Sequence, residues 1–252
     1  MKFNLAQTIN KTLTVATVGA VLSLVTLNAN PVKAAGVKVI DFSEFAVGQK
    51  VTGETTKAAT LSVSGQKKTG SPLESRDLMI FDTFCGGGSA TASDCSGGDT
   101  DLFFPSSEFN FGNALIISED NDSTDPDDSS RGGTISFNFN RLVRLEQFGL
   151  LDIDENNNVE ITTFADTAGT QKIQQFSVQG AGNNETQTVT GFNNTLVQRL
   201  DVYLPGSGAV DNIAYEPVPE PLTILGSATA LGMGGLLKRQ HSRGRKNAKQ
   251  KD

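Results

Sequence analysis

Short runs of β-branched and aromatic residues, each closed by a turn cluster, set the limits on this chain. They lie at 37–42, 78–81, 114–117, 134–139, 159–164, 172–178, 186–192, 196–204 and 210–215. Runs of this length suit strands better than helices. In the stretch from Thr134 to Phe139, Ile135, Phe137 and Phe139 alternate with polar residues, so one face of that strand is buried. Between the runs stand turn-forming clusters such as Asn156-Asn157-Asn158 and the 180–184 stretch from Gly180 to Asn184. Roughly ten strands and no helix inside the domain predict an all-β fold. The expected form is an antiparallel β-sandwich, jelly-roll-like, with another Greek-key sandwich as the alternative. The stretch from Asn121 to Arg131 is expected to be a polar loop too acidic to pack, and there is no internal repeat.

The two ends have a different character. Residues 12–27 carry no charge, follow Lys2 and Lys11, and lead to Val32 and Ala34 at the spacing a signal peptidase requires, so residues 1–34 are predicted to be a secretory signal peptide. Near the other end, Leu222 to Leu237 is again uncharged. As a helix it would be roughly 24 Å long, short of the bilayer's hydrocarbon thickness of about 30 Å. A marginal, releasable transmembrane segment at 222–237 is the expectation. The cations that follow, from Lys238 and Arg239 to Lys251, belong in the cytoplasm by the positive-inside rule. Residues 35–217 remain as one β-sandwich ectodomain, long enough for a real core.

Val218-Pro219-Glu220-Pro221, a short hydrophobic segment and then a Lys/Arg cluster together resemble the PEP-CTERM protein-sorting signal. The resemblance covers residues 218–246, with 247–252 as the end of the basic tail. It implies an exosortase as partner, a membrane-embedded protease-transpeptidase that removes the tail at the outer face of the inner membrane. An inner-membrane-anchored intermediate would precede delivery to the cell surface or extracellular matrix. This gives an address and not an activity.

The whole chain has a formal net charge of −7. Between residues 35 and 217 there are 26 Asp and Glu against 11 Lys and Arg, a net of −15. That surface argues against nucleic acid or anionic lipid as a partner and favours solubility and divalent cations. The two cysteines, Cys85 and Cys95, flank a Gly-rich stretch. In an exported chain an even count predicts a disulfide, here a structural staple, and two thiols without a nearby His make a poor zinc site.

Catalysis has little to draw on. The single histidine, His241, falls in the tail, which removes Ser/His/Asp and Cys/His arrangements from the ectodomain. No pair of carboxylates stands out in an apolar setting as a glycosidase would need. The protein is not expected to be an enzyme.

Calcium is the better expectation, because hard oxygen ligands abound and exported modules use weak sites. Asp152, Asp154 and Asn156 form one candidate set. It is not an EF-hand, since Asn157 and Thr163 stand where Gly and Glu are required. The acidic run from Asp120 to Asp128 is irregular and reads as a solvated loop. A third candidate joins Asp41 in the first strand with Asp211 in the last. The segment from Leu115 to Phe164 resembles the β-sandwich ectodomains of PEP-CTERM proteins, and the closing Val210 to Tyr215 strand is similar to the last strand of jelly-roll modules, including carbohydrate-binding ones. Those relatives imply a structural calcium near the first and last strands. They also make a calcium-dependent carbohydrate-binding module, acting on an exopolysaccharide, the alternative to a structural or adhesive protein. Against it, the chain has no Trp and only Tyr203 and Tyr215 as tyrosines.

Overall fold

A computed structural model describes residues 36–54, 56, 58–65, 76–86, 91–95, 100–104 and 111–218. The predicted signal peptide, Pro219, Glu220, Pro221, the 222–237 segment and the basic tail lie outside the described residues.

The described residues form ten strands, β1 (Lys38–Ile40), β2 (Ala59–Gly65), β3 (Leu78–Asp82), β4 (Asn113–Ile117), β5 (Gly133–Leu151), β6 (Asn158–Phe164), β7 (Lys172–Gln179), β8 (Thr186–Val189), β9 (Leu196–Leu204) and β10 (Ala209–Pro217). Every pairing between them is antiparallel. Short 3-10 turns at Ala92–Asp94 and Thr100–Leu102 are the helical elements among the described residues.

The architecture turns on β5. Its first half pairs with β2 and β9, and its second half with β10 and β8. Between them the register with β9 slips from Asn138 to Val143, and Asn140, Arg141 and Leu142 turn out to solvent. A bulge of this kind bends a strand enough to pass it from one sheet to the next. One layer is therefore β2-β5-β9-β6-β7, and the other is β8-β5-β10 extended by β1 and β4, with β3 beyond β4. Alternation places Ile135, Phe137, Phe139, Leu200, Val202, Val159 and Ile161 of the first layer in one buried cluster with Ile40, Leu78, Ile80, Leu115, Ile117 and Ile213 of the second. The expected antiparallel sandwich is what forms.

β3 and β4 are buried on both faces, which explains their unbroken apolar runs. Their outer face, Met79, Phe81, Ala114 and Ile116, packs under Leu102 and Phe111 in a second cluster. Cys85 and Cys95 pack against that cluster and are joined by the predicted disulfide. The bond holds a cover over apolar surface that would otherwise be wet.

Three local readings are corrected. The first strand stops at Ile40, because Phe42 adopts φ 53° and drives its ring into the core. β2 is absent from the runs named above, although Ala59, Leu61 and Val63 alternate with Thr60, Ser62 and Ser64, and it is held by seven pairings with β5. The acidic 121–131 loop does pack: Ser118 bridges to Asp128, and the buried Asp128 carboxylate accepts hydrogen bonds from Ser207 Oγ at 2.7 Å and from the Gly208 amide. A buried carboxylate persists when donors converge on it.

Candidate functional site

β1 and β10, the first and last strands, pair side by side with Lys38 opposite Tyr215 and Ile40 opposite Ile213. The chain leaves β1 at Asp41 and passes Asp211 on β10, so the pairing brings these carboxylates together. Asp211 sits opposite Gly149 of β5, just before a register shift and before Asn212, which has φ 54°. Its side chain has no solvent exposure, and neither Oδ1 nor Oδ2 makes a full hydrogen bond, although the neighbouring Asn212 amide is directed at the carboxyl. Burial pushes its carboxyl up to about 9; the Asn212 amide opposes the shift and the charge of Asp41 adds to it. Asp41 is exposed, and its Oδ1 accepts from the Ser43 amide at 3.2 Å and from Ser43 Oγ at 2.8 Å. A cleft of about 150 Å³ lies over it, lined also by Lys38, Glu44, Thr56 and Tyr215.

A pair of buried oxygens without donors suits a hard divalent cation, which takes carboxylate and carbonyl ligands. Among the described residues no group of three or more His, Cys, Asp or Glu converges on one point. An ion between Asp41 and Asp211 would therefore complete its shell with backbone carbonyls or water.

Asp152, Asp154 and Asn156 are arranged differently. Asp152 is buried with φ 58°, and its Oδ1 accepts from the Asn184 amide at 2.7 Å, closing the turn before β8. Ile153 is buried, while Asp154 and Asn156 are exposed and Asp154 Oδ2 accepts from Asn157 Nδ2 at 3.4 Å. These are turn-building contacts. In the acidic loop, Asp127 titrates above its usual range because it is partly buried and close to Asp120, Glu119 and Asp125.

Register assembles a feature that strand-by-strand reading of the sequence misses. On the outer face of the first layer, Ser62, Ser136, Asp201, Thr162 and Gln175 form one row across β2, β5, β9, β6 and β7. The adjoining row carries Thr134, Tyr203, Glu160 and Ser177. Arg199 spans the face. Its Nε and Nη2 donate to Asp201 at 2.6 and 3.0 Å, Nη2 also to Ser136 Oγ at 3.1 Å, and its guanidinium lies 5.6 Å from the Phe164 ring centre. Asn138 Oδ1 on the same face is buried without a partner. Tyr203 is half-buried here, whereas Tyr215 is in the core, 5.9 Å from Phe139. The face carries hydroxyls and amides, of which the Ser136 and Thr162 hydroxyls are buried, with one half-buried phenol ring; Arg199 pairs with Asp201, and Glu160 is exposed.

The class defined by these observations is an all-β antiparallel sandwich closed by a disulfide. No family model and no curated protein matches the chain. Solved structures similar to it include a Streptococcus pneumoniae fucose-binding module, at TM-score 0.28 and 9% identity, covering 42% of this chain and 73% of that one. A family 29 carbohydrate-binding module superposes at TM-score 0.28 and 17% identity over 66% of this chain and 97% of its own. The C-terminal domain of a Bacteroides fragilis chitobiase does so at TM-score 0.23 and 18% identity, over 37% and 66%.

Proposed function

We propose that this chain is an exported, non-catalytic protein of the cell surface or extracellular matrix, sorted by an exosortase, whose acidic jelly-roll-like sandwich is its structural or adhesive part. The observation that carries the reading is the Cys85–Cys95 disulfide and its place in the fold. It holds the cover of the second apolar cluster, and structural disulfides of that kind belong to oxidising compartments. The sequence features at both ends agree with export, and Val218, the first residue of the sorting motif, follows directly on β10. The test is the intact mass and cell fraction of the native protein. An N-terminus near Ala35 and a C-terminus near Pro219-Glu220-Pro221, in the outer or extracellular fraction, supports the proposal. A chain still ending at Asp252 in the inner membrane overturns it.

A second reading has its own observation. The polar rows around Arg199 and Tyr203, together with the cation-ready Asp41–Asp211 pair, favour calcium-dependent carbohydrate binding. Neutral hydroxyl-bearing ligands pair well with amide, hydroxyl and paired-charge groups, and a tyrosine face supplies stacking. In that case the sandwich would bind an exopolysaccharide saturably on a glycan array, Tyr203→Ala would weaken binding by tenfold or more, and a chelator would reduce it. Absence of saturable binding leaves the structural reading.

A further inference from the structure

The antiparallel pairing of β1 with β10 brings both ends of the described domain out at one pole. Lys38 lies opposite Tyr215, Pro217 pairs with Val143, and the Val218 amide donates to the Leu142 carbonyl at 3.2 Å. The chain therefore departs for the uncharged 222–237 segment only a few residues beyond this surface. The bend of β5 and the start of β9 meet here too, since Arg144 pairs with Leu196.

This pole differs from the rest of an acidic domain. Among the described residues its cations are Lys38, Arg141 and Arg144; Arg144 is paired with Glu216 at 3.4 Å. A cleft of about 70 Å³ is lined by Lys38, Ala58, Asn140, Arg141, Tyr215 and Pro217, two cations and no carboxylate. Neither Lys38 nor Arg141 forms an ion pair among the described residues. Large apolar side chains are exposed around it: Val37 at 61%, Val39 at 52%, Leu142 at 39% and Leu196 at 36%. Cations beside exposed aliphatic groups make the pattern of a lipid-facing surface, one group for the headgroup and the other for the boundary below it.

We propose that this pole is the membrane-facing surface of the tethered domain, and that Lys38 and Arg141 hold the phosphate of an anionic phospholipid in the cleft between them. The proposal rests on the reading of 222–237 as a membrane segment. The domain's overall negative charge does not oppose it, because charges beyond a Debye length of about 8 Å are largely screened at physiological salt. The acids at neighbouring positions are Glu216, already engaged by Arg144, Asp41 and Glu44 in the adjoining cleft, and the exposed Glu146 on β5.

The full chain is mixed with vesicles of phosphatidylcholine and phosphatidylglycerol, or of phosphatidylcholine alone, and floated on a density gradient. The rate of amine acetylation is then read by mass spectrometry at Lys38 and at Lys50, which bridges to Asp77 near the other end of the domain. The expected result is flotation with both vesicles, and labelling of Lys38 slowed several-fold by phosphatidylglycerol while Lys50 is unchanged. Added salt and Arg141→Glu should each remove the slowing, with Arg141→Gln as the milder variant and thermal unfolding as the check on folding. Flotation with both vesicles but equal Lys38 labelling overturns the pole and leaves the tail reading intact. Flotation with phosphatidylglycerol vesicles alone overturns the tail as a membrane segment and keeps the pole only if Lys38 labelling is slowed, because the tail cations also attract anionic lipid; flotation with neither overturns both.

Discussion

Asp211 and Asp41 bring two carboxylates together from opposite ends of the domain, and only Asp41 is in contact with water. Asp211 is sealed between β5 and β10 with both oxygens unbonded, so at neutral pH without a cation it holds a proton. Its position is set by the β1–β10 pairing and by the irregularity that follows it on β10.

A pH dependence follows from that environment. The native carboxyl titrates at about 9, raised from an unfolded value of 3.8, so the folded state binds the extra proton between them. The stability it contributes is fully present below about pH 4 and is lost as pH rises through about 9. In chelator, melting temperature should fall across that window, and Asp211→Asn should flatten the fall. Calcium at a hundredfold excess over Kd should add about 2.7 kcal/mol to the wild type. Asp211→Asn should lose that gain. Calorimetry with and without calcium decides it; an equal calcium effect in both proteins would place the ion elsewhere.

The disulfide should matter most for β3 and β4. Replacing Cys85 and Cys95 with serine removes a short closed loop, a loss of about 2–3 kcal/mol. Because the bond holds the cover of Met79, Phe81 and Ile116, hydrogen exchange should rise first on β3 and β4 and leave β6 and β9 protected. Uniform loss of protection would show that the cover and the main core unfold as one unit.

Arg199 ties three elements of the outer face through Asp201, Ser136 and the Thr167 carbonyl, the last at 3.3 Å. Arg199→Ala should cost about 2–3 kcal/mol, since it also leaves Asp201 without its paired charge. Arg199→Lys should recover only part, because an ammonium cannot reproduce the two-pronged contact. Denaturant midpoints of the two variants test this, and equal midpoints would reduce Arg199 to a packing role.

Asp128 joins the acidic loop to the β9–β10 turn. Asp128→Ala leaves the Ser207 hydroxyl and the Gly208 amide to find other partners and should cost about 2–3 kcal/mol. Proteolysis should then begin between residues 119 and 131, and an unchanged cleavage pattern would show that the loop is held by other contacts.

Much of the fold was legible in the residues themselves. Ile135, Phe137 and Phe139 announce a strand with one buried face, and the apolar runs at 78–81 and 114–117 announce strands, whose burial on both faces the structure then shows. The cysteine pair and the turn clusters were equally plain. β2 was legible too, in the alternation of Ala59, Leu61 and Val63 with Thr60, Ser62 and Ser64, but so short and small-residue a run was passed over. The far half of β5 was missed because its inward phase shifts where it changes partners.

The candidate sites divide the same way. Asp41 and Asp211 could be named in advance, because their strands were expected to be neighbours. The burial that strips Asp211 of donors could not, since it depends on how two sheets close over one side chain. The row through Asp201, Thr162 and Gln175 comes from five strands, and one residue's slip in any register would turn its side chain to the other face. Composition counted an acidic domain and argued against anionic lipid; it could not say that Lys38 and Arg141 line one cleft without a carboxylate at the pole where the chain leaves. Local chemistry, the period of two and the turn residues, was determined by the sequence. Which groups meet was decided by tertiary pairing, because contacts between strands far apart in the chain are fixed only when the layers pack.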